Sequence, residues 1–340
     1  MSWVVRESVD EDVPELLVLM KELIAAHQFN PIIMKSKKED LLKDGFGEHD
    51  AKHFHVFVAE LKTEAERRII GYGLYILHYS GLGGRLIYLK DLYTKKEYQT
   101  KGIGRALMAK IAEMATRLNC FKLEWRCLDS NAGAITFYNN LRAKTVEKAK
   151  VFLAFIEKQG IEQLVVKSVQ LRSDIKICYG MEEDVPEVMG LLKELAVIKG
   201  DDPNCIKSKT DLIEDGFCEP RRFYLAVAKV QLDGSDDEEL VGFSSFSFSY
   251  STILAAGLIV HVEDFYVKKT HKDSDIETAL IKKIAEFAKE HSCCKISLKY
   301  VLDGAEAPAF LEGLEVTLMP DWTFMYLDKP AIENLVAWQH

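Results

Sequence analysis

The chain has 340 residues, 48% of them hydrophobic, with 44 Lys+Arg against 53 Asp+Glu and a formal net charge of −9. That size fills two ordinary cores of about 150 residues each, and no apolar stretch approaches the roughly 20 residues of a membrane span. The charge is uneven, 27 Lys+Arg and 22 Asp+Glu in residues 1–172 against 17 and 31 in residues 173–340, so only the first half suits an anionic ligand, and neither has the Lys/Arg density expected for nucleic acid.

In chain order, VVRES (residues 4–8) reads as a short strand. Asp10 or Asp12 then caps a helix with Pro14 in its first turn and with Leu16, Leu19, Met20 and Leu23 at helical spacing. Residues 40–44 predict a short second helix stopped by Gly45. FHVFVAEL, RIIGYGLYILHY and RLIYLKDLYT read as strands of an antiparallel meander. ALMAKIAEMATRL follows as a helix, FKLEWRCL as a strand, AITFYNNLR as a helix and VFLAFIE as a closing strand. The order β-α-α-β-β-β-α-β-α-β predicts a mixed α/β sheet with helices on its faces, an α+β arrangement.

The second half repeats the first. EDVPELLVLMKEL at residues 11–23 returns as EDVPEVMGLLKEL at 183–195, and KSKKEDLLKDGFGE at 35–48 as KSKTDLIEDGFCE at 207–219. KDLYTKKEYQTKGIGRALM at 90–108 aligns at an offset of 173 with EDFYVKKTHKDSDIETALI at 263–281. FIEKQGIEQLV at 155–165 matches YLDKPAIENLV at 326–336. Two long copies mean two tandem domains rather than a solenoid. The boundary falls near residues 168–173, giving domains 1–170 and 171–340.

Seven scattered cysteines show no zinc spacing, which predicts no metal site and a reducing compartment. The N-terminus lacks the basic and apolar regions of a signal peptide. Together these predict a soluble, cytoplasmic protein without a membrane partner.

The stretch Gln99-Thr100-Lys101-Gly102-Ile103-Gly104 lies between a strand and an amphipathic helix. Glycines there allow a sharp turn that presents backbone N–H groups and the helix dipole to a pyrophosphate, with Lys101 and Arg105 adding charge. Neither a P-loop GKS/T nor a dinucleotide G-x-G-x-x-G after the first strand is present. A plain turn remains the alternative on these residues alone.

The Q-x-x-G-x-G loop, followed by Asn131 and Phe137-Tyr138, resembles the acetyl-CoA signature of the GNAT acyltransferase superfamily. Residues 3–166 resemble more specifically the diamine (spermidine/spermine) N-acetyltransferases, through DLLKDGFGEH, YLKDLY, N-x-x-x-I-x-F-Y and F-x-x-F-I-E-K in that order. The resemblance implies a GNAT fold and acetyl-CoA as co-substrate. It places Leu92, Tyr93 and Thr94 along the pantetheine arm, Gln99 to Arg105 (Gln99, Thr100, Lys101, Gly102, Ile103, Gly104, Arg105) around the pyrophosphate, and Asn131 near the reactive end. Tyr138 is then the general acid for the departing thiolate, a role that suits a phenol of pKa about 10.

The resemblance also places a Glu-Asp pair on the strand before the loop, to bind and deprotonate a cationic amine. This chain has Lys90-Asp91 there. A charged lysine repels polycations, so Asp91 and Glu124 of the neighbouring strand are the candidate carboxylates, Glu124 either pairing with Lys90 or replacing the missing acid. The second copy reverses the pattern. It keeps Glu263-Asp264, but residues 272–277 (KDSDIE) replace the glycine loop, Gly304 stands for Asn131 and Leu311 for Tyr138. A second domain retired from catalysis follows, kept as the partner surface of a covalent pseudo-dimer in a family associated with homodimers. Its acidic edge, Glu263 and Asp264, would draw a cationic acceptor or basic partner. The expected activity is acetyl transfer to a small-molecule primary amine: a diamine or polyamine, a lysine-like amino acid or an arylalkylamine. A non-catalytic acyl-CoA-binding regulator is the alternative.

Overall fold

The computed structural model describes residues 2–29, 34–47, 52–62, 67–146, 151–232, 234–252, 257–271, 275–301, 311, 316–319 and 321–338. The first half runs β1 (Ser2–Glu7), α1 (Val13–Ala26), α2 (Lys38–Leu41), β2 (His55–Lys62), β3 (Arg68–Ser80), β4 (Gly84–Thr94), α3 (Ile103–Arg117), β5 (Lys122–Leu128), α4 (Ala132–Asn140), β6 (Lys144–Thr145), β7 (Val151–Glu157) and α5 (Lys158–Val166). The second runs β8 (Ile175–Tyr179), α6 (Val185–Lys199), α7 (Lys209–Phe217), β9 (Tyr224–Gln231), β10 (Glu238–Ser251), β11 (Gly257–Val267), α8 (Ile276–Glu290), β12 (Lys295–Val301), β13 (Val316–Leu318), β14 (Trp322–Asp328) and α9 (Lys329–Ala337).

Local chemistry explains most of these elements. Val13-Pro14 opens α1, where a missing proline N–H costs nothing. The carboxylate of Asp12, at the N-cap, accepts from Val9 N–H (2.9 Å) and from Arg6 (2.6 and 2.9 Å) rather than capping α1. The short helix expected over residues 40–44 is displaced. Helix α2 ends at Leu41 and a wider, π-type turn continues through Phe46. Gly45 lies inside that turn because the Phe54 ring presses on it; a Cβ there would come within 2.2 Å of Phe54 Cζ.

Among the described residues the strands form two seven-stranded mixed sheets, ordered β1-β2-β3-β4-β5-β14-β6 and β13-β7-β12-β11-β10-β9-β8. The halves therefore exchange their closing strands. Strand β14 pairs antiparallel with β5, from Trp322 opposite Leu128 to Asp328 opposite Lys122, while β7 pairs with β12 from Glu157 opposite Lys295 to Val151 opposite Val301. The following helices exchange too. Met325, Leu327, Ile332 and Leu335 are buried in one core with Leu107, Ile111, Leu123 and Trp125, and Ile156, Ile161 and Leu164 are buried with Leu280, Ile284 and Leu298. The boundary expected near residue 170 is one of sequence only, since each sheet takes its closing strand from across it.

Strands β4 and β5 are parallel and paired only from Leu86 opposite Lys122 to Leu89 opposite Trp125. Beyond Leu89 they part, and the edge of β4 that faced β5 has no strand partner among the described residues. Just there β4 carries a bulge: Leu74 pairs with Asp91 and Tyr75 with Leu89, so Lys90 is the extra residue. No described helix is long and apolar enough to cross a membrane.

Candidate active site

The parting of β4 and β5 opens a cavity of about 1230 Å³, lined by residues of both halves. All the residues singled out from the sequence as cofactor contacts except Lys101 line it, as do Lys90, Asp91, Glu124 and Tyr138. Lys101 turns away, its ammonium donating to Glu97 O (2.8 Å).

At the loop, Thr100 and Gly102 have left-handed φ values of +62° and +82°. Gly102 caps α3, and the first intrahelical donor is Ala106 N–H, to Gly102 O (3.0 Å). The N–H groups of the first turn are thus available to an anion. The guanidinium of Arg105 stacks on the Trp338 ring (4.6 Å), and its buried Nε has no hydrogen-bond partner among the described residues. An unpaired β4 edge, a left-handed glycine and an orphaned buried arginine donor fit acetyl-CoA. Of the three pantetheine-edge residues, Thr94 differs, its carbonyl already accepting from Gln99 Nε2 (3.1 Å). Asn131 caps α4, its Oδ1 accepting from Ala134 N–H (3.1 Å).

Tyr138 is buried beside Trp125, ring centroids 4.6 Å apart. Burial, with Cys127 and Asp91 adding to it, pushes its phenol well above the ordinary value, so it is protonated at neutral pH. Asp91 is buried and accepts from Thr252 Oγ1 of the second half (3.4 Å). Burial raises its carboxyl, with Lys90 and His27 opposing.

Glu124 does not meet Lys90. It bonds Lys122 (2.7 Å) and Lys299 (3.3 Å), and Lys299 in turn bonds Glu263 (2.8 Å). Burial would raise Glu124, but the two ammonium groups outweigh it and hold it below the carboxylate range. Glu263 is likewise held well down, against burial, by Lys299 and His261. The acidic edge of the second copy is therefore internal. Asp264 is fully buried, accepting from Lys199 Nζ (2.8 Å), Gly81 N–H (2.9 Å) and Ser245 Oγ (2.9 Å). Neither carboxylate is free to draw an outside cation.

Sequence reasoning missed Arg126, His27 and the second half's contribution. Arg126 donates from Nε to Tyr88 OH (2.7 Å), and its guanidinium lies among the rings of Phe155 (5.3 Å), Tyr88 (5.7 Å) and Trp322 (5.8 Å). Its buried Nη1 has no partner among the described residues. At the offset of 173 its counterpart is Lys299, which is fully paired; that contrast is visible in the sequence only once partners are known. In the second copy Asp275 keeps the left-handed φ (+56°) of Gly102, but with Glu277 it puts carboxylates at the start of α8, and buried Leu311 stands where Tyr138 would. Residues 272–274 and Gly304 lie outside the described residues.

The model of the acetyltransferase (GNAT) family matches residues 20–141 and again residues 200–314. Thialysine N-epsilon-acetyltransferase of Sus scrofa is 34% identical over 171 residues, 49% of this chain and 99% of that protein. Among solved structures, a tandem GNAT protein from the clavulanic acid biosynthesis pathway shares the fold at a TM-score of 0.50 and 15% identity, covering 96% of this chain and 98% of the other. A GCN5-related N-acetyltransferase from Sphaerobacter thermophilus does so at 0.54 and 13%, covering 96% and 95%. With the cofactor cleft, the loop and the two matched copies, the chain belongs to the GNAT acetyltransferase family, as a tandem protein that is an acetyl-CoA-dependent N-acetyltransferase.

Proposed function

We propose that the first half acetylates the side-chain amine of a small amino-acid acceptor, one bearing a carboxylate as well as the reacting amine, and that the second half is a non-catalytic scaffold completing the site. The observation that carries this is the unpaired Nη1 of Arg126, in the same cavity as Asp91. Asp91 suits an ammonium and the guanidinium fork suits a carboxylate. A polyamine would instead bring further ammonium groups toward Lys90, Arg126 and Lys295, at about 4 kcal/mol per like pair 4 Å apart in a partly screened site. The pig relative, named for thialysine, supports an amino-acid acceptor.

In this reading Asp91 seats the ammonium and Tyr138 protonates the departing thiolate. Glu124 holds Lys122 and Lys299 in place rather than accepting a proton. The second half contributes Thr252 to Asp91, Trp322 to Arg126 and its acid-lined α8 start takes no cofactor. Two carboxylates at a helix N-terminus would repel a pyrophosphate.

The test is a panel of acceptors at fixed acetyl-CoA: thialysine, lysine and ornithine against putrescine and spermidine. Amino acids should lead in kcat/KM by at least about tenfold, and Arg126→Ala should raise their KM by ~10-fold or more while leaving the diamines little changed. Spermidine turned over as well as thialysine by the wild-type protein would overturn the acceptor assignment.

A further inference from the structure

The lysine at the acceptor edge and its mate in the other copy occupy one structural position. Lys90 is the bulged residue of β4, and in the second half Ser245 pairs with Asp264 and Phe246 with Val262, making Glu263 the bulged residue of β11. A bulge breaks the alternation of the strand and re-aims its side chain. Lys90 lines the cavity where β4 leaves β5.

The second copy also shows where an ammonium belongs. Lys199, at the end of α6, places its Nζ 2.8 Å from Asp264 Oδ1. The repeat EDVPE aligns α1 with α6 at an offset of 172, so the matching residue is His27 at the end of α1. His27 lines the cavity but forms no ion pair with Asp91 among the described residues, and burial holds its imidazole below the ordinary value, so it is neutral at pH 7. The seat that Lys199 fills on Asp264 is open on Asp91, one residue from Lys90.

We propose that Lys90 is the general base of the reaction, its amine taking the proton from an acceptor ammonium seated on Asp91. This rests on reading the first half as an amine acetyltransferase. The charges around Lys90 favour the transfer. Asp91 on its own strand is the carboxylate that acts on it; Glu124 on β5 is committed to Lys122 and Lys299. Arg126 from β5 and Lys295 from β12 face it as like charges, while His27 from α1, His261 from β11 and Tyr138 from α4 also line the cavity. Lys295 is itself paired with Glu157 on β7 (3.3 Å), so a further ammonium arriving at Asp91 leaves that one carboxylate facing Lys90, Arg126 and the newcomer, and one amine must give up a proton. Lys90 is already disposed to do so. Burial pushes it down to about 8, Arg126 and Lys295 acting the same way and Asp91 opposing them. A base of that strength suits an alkylammonium of pKa about 10 better than a histidine does.

The proton count closes. Lys90 takes one proton from the ammonium. The neutral amine attacks the thioester carbonyl, forming C–N, and the C–S bond breaks. Tyr138 gives its proton to the thiolate and recovers one from the new amide nitrogen; Lys90 releases its proton to solvent. The net products are the acetamide, the free thiol and one proton.

The test is the pH profile of kcat and KM for thialysine with wild type, Lys90→Gln and Lys90→Glu, CoA affinity being measured on each to show an intact fold. Wild-type kcat/KM should rise and level above about pH 8. Lys90→Gln should lose about 100-fold in kcat at pH 7 with KM little changed, and its profile should keep rising toward pH 10. Lys90→Glu, the residue at Glu263, should recover most of the loss. A Lys90→Gln profile matching wild type, a loss confined to KM, or an acetyl group found on Lys90 by intact-mass analysis would each overturn the assignment. A wild-type protein that acetylates no amine of the panel would sink the amine-acetyltransferase reading and this one with it.

Discussion

Cutting the chain after residue 320 removes only β14 and α9, more than 180 residues from the Gln99–Gly104 loop in sequence, yet it should disable the first half. Met325, Leu327, Ile332 and Leu335 are each at most 3% exposed, inside the core that carries α3 and β5. At about 1.5–3 kcal/mol for each buried side chain, their loss forfeits about 6–12 kcal/mol. That is of the order of a whole domain's stability, about 5–15 kcal/mol. The antiparallel ladder along β5 goes with them, leaving Leu123 and Trp125 at an open edge. The second sheet keeps β7 and has no reason to release it. Calorimetric titration with CoA, alongside limited proteolysis, reads the outcome. Residues 1–320 should lose CoA binding and be cleaved first within β5, α4 and α3, while the β8–β12 region stays protected. CoA affinity equal to that of the full chain would refute the strand exchange as the element that completes the site.

Two further substitutions probe the buried charges and the carboxylates at the start of α8. Lys299→Met leaves Glu124 and Glu263 buried without their shared cation, which should cost about 3–5 kcal/mol at pH 7 by chemical denaturation. In the intact network the two carboxyls are held below their unfolded values, so that stability is present above about pH 4.5 and lost as pH falls. In the variant Glu124 keeps Lys122, but Glu263 loses the largest cause opposing its burial, so the deficit should shrink as pH falls toward 5; a deficit independent of pH would argue against the network. Gly102→Asp copies Asp275 into the working loop, where an added Cβ meets nothing within 4 Å. A carboxylate about 5 Å from a phosphate charge costs about 3 kcal/mol at an effective dielectric of 20, so CoA should bind about 100-fold more weakly than to Gly102→Asn, which carries the same strain at φ +82° without the charge. Unaltered affinity would remove the charge argument for a silent second copy.

The tandem repeat, the element order of the first copy and the glycine turn before α3 were legible because each is written locally: repeated segments, alternating or 3.6-residue periodicity, and glycines at a strand-to-helix turn. The strand exchange was not. FIEKQGIEQLV and YLDKPAIENLV carry the same pattern, so either completes either sheet, and periodicity cannot say which. The same limit hid the site's electrostatics. Glu124 read as a neighbour for Lys90, but Lys299, 175 residues away, holds it. Asp264 read as an exposed acid, but Lys199 and the Ser80-Gly81 turn of the other half cover it. Arg126 went unnoticed because its aromatic cage draws on Phe155 and Trp322, which reach it through the exchanged strands. The π-type turn at residues 42–46 follows from Phe54 packing on Gly45, a contact no local propensity encodes.

The proposed mechanism places acetyl transfer in the first half with Tyr138 as acid. The most direct measurement is the single-turnover rate of acetyl transfer to thialysine by Tyr138→Phe, with CoA affinity measured on the same protein. Phenylalanine preserves the packing on Trp125 and removes only the hydroxyl. The rate should fall by about 100-fold or more with CoA affinity unchanged; a rate equal to that of the wild type would contradict the claim.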